Sequence, residues 1–138
     1  MNNKITFRSF KEGDYEMCCE WWKWWWNGSI PVKKNLLPDD GTCFVIESND
    51  TPVAAGFLYP FINPLVAYGP TWVVSNPEYR EKDRQQVLEL LIKCIEDKAR
   101  SYGVVQLFTV CGNRFMQKIH KKLNWDMHKT EYEAFKFL

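Results

Sequence analysis

Apolar and polar residues alternate along this chain in two rhythms, and the rhythms mark its elements. Residues 5–10 (ITFRSF) repeat with a period of two and predict a first strand. Gly13 and Asp14 open a helical stretch reaching to about Asn27 and Gly28. A connection rich in Pro, Asn and Asp follows over residues 31–41. Residues 42–47 and 53–59 are apolar runs joined by Ser48-Asn49-Asp50-Thr51-Pro52, a link of hairpin type. Residues 68–75 predict a fourth strand, ended by Asn76-Pro77.

The strongest helical pattern comes next. Leu88, Leu91, Ile95, Ala99 and Tyr102 fall on one face, while Gln85, Glu89, Lys93, Asp97 and Arg100 lie toward water. Gly103 stands where a helix stop belongs. Residues 104–110 have the β-branched character of a buried strand, residues 114–123 form a shorter helix, and residues 131–138 alternate as a closing strand. The order β-α-β-β-β-α-β-α-β predicts an α/β (α+β) sandwich, a mixed sheet with helices on its faces. At 138 residues, with no repeat or low-complexity tract, the chain reads as a single domain over residues 1–138.

Composition changes this picture in few places. With 18 basic and 17 acidic residues the formal charge is +1, which gives no general pull toward nucleic acid, anionic membranes or acidic partners. No segment approaches the ~20 apolar residues of a membrane span, and the start, MNNKITFRSF, lacks a signal-type apolar run. The expectation is a cytoplasmic location, or host cytoplasm or a virion for a viral chain. Five cysteines form an odd set without a C-x-x-C pair and read as reduced thiols. Neither of the two histidines stands at metal-ligand spacing from a cysteine, so no metal is expected.

Aromatic residues make up 16% of the chain, and five of its seven tryptophans stand in WWKWWW, residues 21–26. At helical spacing Met17-Trp21-Trp24/Trp25 makes one stripe and Cys18-Trp22-Trp25/Trp26 its neighbour. Together they exceed the arc a half-buried helix needs. Two or three of these indoles pack in the core, and the rest are free for a substrate or a partner; Trp22, Trp25 and Trp26 are the candidates. Base stacking assisted by Lys23, Lys33 and Lys34 is a third use, against which the near-zero charge counts. Membrane-surface binding lacks the dense basic stripe it needs.

Several local motifs share one spacing. Val73-Val74-Ser75-Asn76-Pro77-Glu78-Tyr79-Arg80 is a strand running into a Pro-x-Tyr-Arg turn. The helix end at Ala99 to Gly103, the strand Leu107-Phe108-Thr109-Val110 and then Asn113 follow it. His120-Lys121-Lys122-Leu123-Asn124-Trp125 is similar to a Tyr-x-x-Leu-Gly-Phe run. Over residues 73–125 this chain resembles the GNAT superfamily of acyl-CoA-dependent N-acetyltransferases, and elsewhere it matches them by element order.

The resemblance implies that the fourth strand splays from its neighbour and that Val73 and Ser75 offer backbone groups to the pantetheine arm of acetyl-CoA. It implies a diphosphate on the free N–H groups of the next helix, where the dipole favours negative charge. Arg80, Lys82, Asp83, Arg84 and Gln85 surround that site, and Asn113 takes the place of the family's asparagine. Two glycines of the family's turn, which let the backbone approach phosphate, are replaced by Asp83 and Gln85. Asp83 is placed to cap the helix, with Gln86 three residues on as in a capping box, which fills the anion site with the protein's own anion. Two like charges ~4 Å apart near a surface repel by about 4 kcal/mol. Arg80, Lys82 and Arg84 offset one carboxylate; an ordinary capped helix with solvated charges is the other reading.

His120 aligns with the family's tyrosine and is the candidate general acid for the departing thiolate; a surface histidine in a basic run is the competing reading. That run, residues 118–122, also suits the cofactor's 3′-phosphate or a plain solvated helix face. Glu47 is the base candidate by topology, against a surface role at a strand end, with Tyr68 or a water relay as substitutes. Cys111 is close enough in sequence to pair with His120 in thiol chemistry, although an incidental cysteine is commoner.

Two functions follow. The first is an acyl-CoA-dependent N-acyltransferase, an N-acetyltransferase, moving an acyl group from acetyl-CoA to a small-molecule or protein amine by direct attack. The second is a GNAT-like binding or assembly module without catalysis, of phage or virion type, working through its Trp-rich surface as a homo-oligomer or with a protein partner. Neither function calls for nucleic acid or a membrane.

Overall fold

A computed structural model describes residues 3–129 and 134–138. Five strands form one sheet: β1 (Ile5–Ser9), β2 (Cys43–Ser48), β3 (Thr51–Pro60), β4 (Val66–Ser75) and β5 (Gln106–Phe108), side by side in chain order. The first four are antiparallel, and β5 lies parallel to β4. Helices α1 (Asp14–Trp25), α2 (Arg84–Ser101) and α3 (Arg114–Lys122) complete the mixed α/β fold that the pattern predicts. Two short 3-10 turns, Lys34–Leu36 and Asp40–Thr42, shape the Pro- and Asp-rich connection. No helix among the described residues is long and apolar enough to cross a membrane.

Successive strand residues serve opposite faces, because the pleat has a period of two. Ile46 and Ala54 pack under α2 with Leu91, Ile92 and Ile95, whereas Val45 and Ala55 pack under α1 with Cys18, Trp21 and Trp22. The β2–β3 hairpin turns on Asn49 and Asp50, both at positive φ (50° and 67°), as a tight two-residue turn requires. On the α2 face Gly56 admits Leu91: a Cβ at Gly56 would stand 3.0 Å from Leu91 Cδ2. Bulk there would push the helix off the sheet.

Several expectations need correction. Glu89 faces the protein rather than water and is only 9% exposed. The cause is α3, whose Lys122 Nζ lies 2.7 Å from the Glu89 carboxylate. That bond, with a second from Gln85, holds the Glu89 carboxyl below its ordinary range. Tyr102, placed on the apolar face by periodicity, is exposed at the helix end. The run over residues 104–110 makes a strand only at Gln106–Phe108, and Val105 and Val110 are exposed. Among the described residues β5 has a neighbour on one side alone, so its residues lack the cover that a central strand receives. Of the closing strand expected over residues 131–138, residues 131–133 lie outside the described residues and 134–138 belong to no strand.

Candidate functional site

β4 and β5 pair only at their starts, through Val66↔Gln106, Ala67↔Leu107 and Tyr68↔Phe108. β4 then continues to Ser75 paired with β3 alone, and a bulge accompanies the departure. Ala55 pairs with Val74 and Phe57 with Thr71, so Gly56 faces both Trp72 and Val73. Trp72 takes φ 52°, sparsely populated for a bulky side chain. Its surroundings hold it there: Trp22 Nε1 donates to the Trp72 carbonyl at 3.1 Å, and Trp72 Nε1 donates to Tyr59 Oη at 2.9 Å. Carbonyl and N–H of a trans peptide point in opposite directions, so the Val73 N–H is directed away from Trp22.

A cleft of about 500 Å³ opens where the strands part. Val73, Val74 and Ser75 form its floor, with Trp25 and Trp26 from the end of α1 on one side. Tyr79, Arg84, Val87 and Leu88 form the α2 wall, and Asn113, Phe115 and Met116 the α3 wall. Among the described residues that line it, Arg84 alone carries a formal charge.

The turn into α2 explains why its N-terminus is open. Tyr79 N–H donates to the Asn76 carbonyl at 3.0 Å, and Asn76 Oδ1 accepts from Glu78 N–H at 3.0 Å, around a proline suited to the second turn position. Asp83 is the N-cap residue but does not cap, contrary to expectation. Its φ of −91° and ψ of 15° lie outside the extended region in which a cap side chain reaches the helix amides. The carboxylate turns back instead to accept from the Tyr79 hydroxyl and, at 3.3 Å, from Asn3 Nδ2. Burial, together with the bond to Asp83, pushes the Tyr79 phenol up, so it stays protonated and donating. The first helical bond runs from Val87 N–H to the Asp83 carbonyl at 3.0 Å, leaving the N–H groups of Arg84, Gln85 and Gln86 without acceptors in the helix.

The basic residues around the turn part company. Arg84 lines the cleft, Arg80 stacks over the Trp24 ring at 5.5 Å, and Lys82 is exposed away from the lining. Gln85 turns its amide to Glu89 at 3.2 Å, leaving its backbone as its contribution to the helix end. Asn113 caps α3, its Oδ1 accepting from Met116 N–H at 2.8 Å, while also lining the cleft.

The tryptophan run divides between core and cleft. Trp21 and Trp22 are buried, which removes Trp22 from any partner surface; its work is to hold the bulge. Trp25 and Trp26 line the cleft and are 43% and 42% exposed. Trp25 Nε1 donates to the Ser75 carbonyl at 2.8 Å, so that expected backbone acceptor already has a partner.

His120 and Glu47 are not brought to the cleft. His120 is 1% exposed, its ring edge-on to Trp125 at 4.9 Å. Its Nδ1 lies 2.8 Å from the Met116 carbonyl, which places the proton on that nitrogen, while Nε2 is buried without a partner. Burial lowers its pKa from 6.5, so the ring is neutral. Cys111 Sγ stands 3.4 Å from His120 Nδ1, but burial pushes the thiol up, and two neutral groups make no thiolate–imidazolium pair. Glu47 accepts from Arg8 Nε at 3.1 Å, and Arg8 also grips Asp14 at 2.6 Å, two strands away from β4. Tyr68 sits where β4 and β5 are still paired. Among the described residues no group of His, Cys, Asp and Glu could hold a metal.

Sequence reasoning missed Tyr79 as the tether of Asp83, although the four-residue spacing was visible. It also missed Phe115 and Met116, for which no local signal existed.

The fold as a whole is that of the GNAT N-acetyltransferases of solved structure. An aminoglycoside N-acetyltransferase in complex with CoA matches with a TM-score of 0.68 at 14% identity, over 99% of this chain and 97% of that one. N-acetylglutamate synthase from Neisseria gonorrhoeae, complexed with coenzyme A and N-acetyl-glutamate, matches at 0.66 and 15% identity over 88% of this chain. The match spans only 28% of that synthase. An N-acetyltransferase from Staphylococcus aureus matches at 0.64 and 16% identity, over 88% and 82% of the two chains. No family model matches the sequence, and no curated relative does. At these identities the likeness is one of fold.

Proposed function

We propose that this chain binds acetyl-CoA in the cleft between the end of β4, α2 and α3 and acts as an acyl-CoA-dependent N-acyltransferase, an N-acetyltransferase, on an amine by direct attack. The observation that carries this reading is the uncapped start of α2 beside a cleft that its first residue, Arg84, lines. A helix end carries roughly half a positive charge, and with one arginine it suits a diphosphate. Asp83, the group that threatened the site, is drawn off by Tyr79 and Asn3.

Acetyl-CoA supplies an activated acyl carbon, and the chain's residues supply placement. Val73 offers backbone groups to the pantetheine arm, Ser75 offers what the Trp25 indole leaves free, and the Val73 N–H, turned away from Trp22, is the donor for the thioester oxygen. Asn113, at the α3 wall, completes the polar lining. Direct attack needs no covalent intermediate on the protein. The working location is the cytoplasm.

A binding or assembly module without catalysis is the second reading, favoured by the Trp25 indole seated on the Ser75 carbonyl. Isothermal titration with CoA and acetyl-CoA separates the two. Saturable binding is expected; no heat at about millimolar ligand, where binding free energy falls to about 4 kcal/mol, overturns the transferase.

A further inference from the structure

Resting on that reading, we infer that the acceptor is a weakly basic aromatic amine, one that arrives already neutral. The described cleft lining has nothing to take a proton from an ammonium. It contains no carboxylate, and its one phenol, Tyr79, is held protonated against Asp83. Glu47 is paired with Arg8, and His120 is sealed with its Nδ1 proton on a helix carbonyl. An alkyl amine resembles the lysine side chain, with a pKa of about 10.4, so only about one molecule in a thousand is neutral near pH 7. An arylamine delocalises its lone pair into the ring and is neutral there.

Charge and shape point the same way. The one formal charge at the described lining, Arg84, belongs with the cofactor's diphosphate, and the rest of that lining offers an ammonium or a polycation no carboxylate to anchor on. Trp25, Trp26, Phe115 and Met116 present flat or pliable apolar surface to the same space. Trp24, beside them, carries Arg80 over its ring and stands outside the lining. Indole faces left open next to a cleft suit an aromatic ring.

The chemistry balances without a side-chain acid or base. The amine nitrogen bonds to the thioester carbonyl carbon, the C–S bond breaks, and the sulfur leaves with the bonding pair. The nitrogen, positively charged once bonded, is acidic and loses one proton, through water, to the thiolate. The products are an anilide and free CoA.

The test begins with calorimetric titration of CoA, followed by chromatographic assay of the amides formed from acetyl-CoA with aniline, benzylamine and spermidine. Aniline is expected to be preferred over benzylamine at neutral pH by at least about tenfold in kcat/KM, with a level profile from about pH 6 to about pH 9. Without a base, benzylamine's kcat/KM should climb about tenfold per pH unit as its neutral fraction grows. Trp26→Ala should raise the KM for aniline about tenfold, by more than any change in CoA affinity read from the same titration, and Trp26→Phe should restore it. Preference for spermidine or benzylamine, a benzylamine profile that levels near neutrality, or CoA binding with no acetanilide formed would overturn the inference. Failure of CoA to bind would strike the transferase reading itself.

Discussion

Tyr79→Phe keeps a ring at the start of α2 and removes one hydroxyl, the group that draws the Asp83 carboxylate back from the helix amides. A hydrogen bond to a charged group contributes about 1.5–3 kcal/mol. What remains in the variant is the bond from Asn3 Nδ2 at 3.3 Å, long for a charged acceptor. With the tether gone the Asp83 backbone is free to relax into the extended region, where capping gains the carboxylate about 1 kcal/mol and sets it on the amides that the diphosphate needs. Displacing it, or binding beside it, should weaken CoA by about 1–2 kcal/mol after solvent screening, or about five- to thirtyfold. Titration at low and high salt measures this, and the deficit should shrink as salt rises. Asp83→Asn in the Tyr79→Phe background should recover affinity, because an amide carries no charge to repel phosphate. Equal or tighter CoA binding by Tyr79→Phe alone refutes the tether.

Trp25→Phe keeps an aromatic wall but frees the Ser75 carbonyl, and should tighten CoA several-fold, by about 0.5–1.5 kcal/mol; calorimetry decides. Arg84→Gln should weaken CoA about tenfold at low salt and flatten the salt dependence, read from the same titrations. Burial holds the folded-state pKa of His120 below 6.5. As pH falls through 6.5 the unfolded chain therefore binds the proton first, and stability drops until the lower folded-state value is passed. His120→Phe should remove that part of the acid sensitivity, checked by thermal melts across the range.

The elements were legible where local periodicity and burial agree. The β2 and β3 runs are apolar in sequence and lie at the centre of the sheet, covered on both faces. Legibility failed where burial depends on a distant neighbour. Glu89 looks like a solvent position until α3 delivers Lys122, and residues 104–110 look like a buried strand until β5 proves to be an edge among the described residues. The tryptophan run was readable as surplus aromatic surface. Which indoles formed the surplus depended on where α1 ends against β4, since that end leaves Trp25 and Trp26 at the cleft and Trp22 under the bulge.

Patterning along the chain determined the element order as far as α3, the mixed sheet and a helix start rich in charge, because apolar period and turn chemistry act over a few residues. Whether that helix start is open was decided in three dimensions. Asp83 has a capping residue's identity, yet its backbone angles and the Tyr79 hydroxyl send its carboxylate elsewhere. A side chain's partner is chosen by the competition among all groups within reach, and folding alone determines which groups those are.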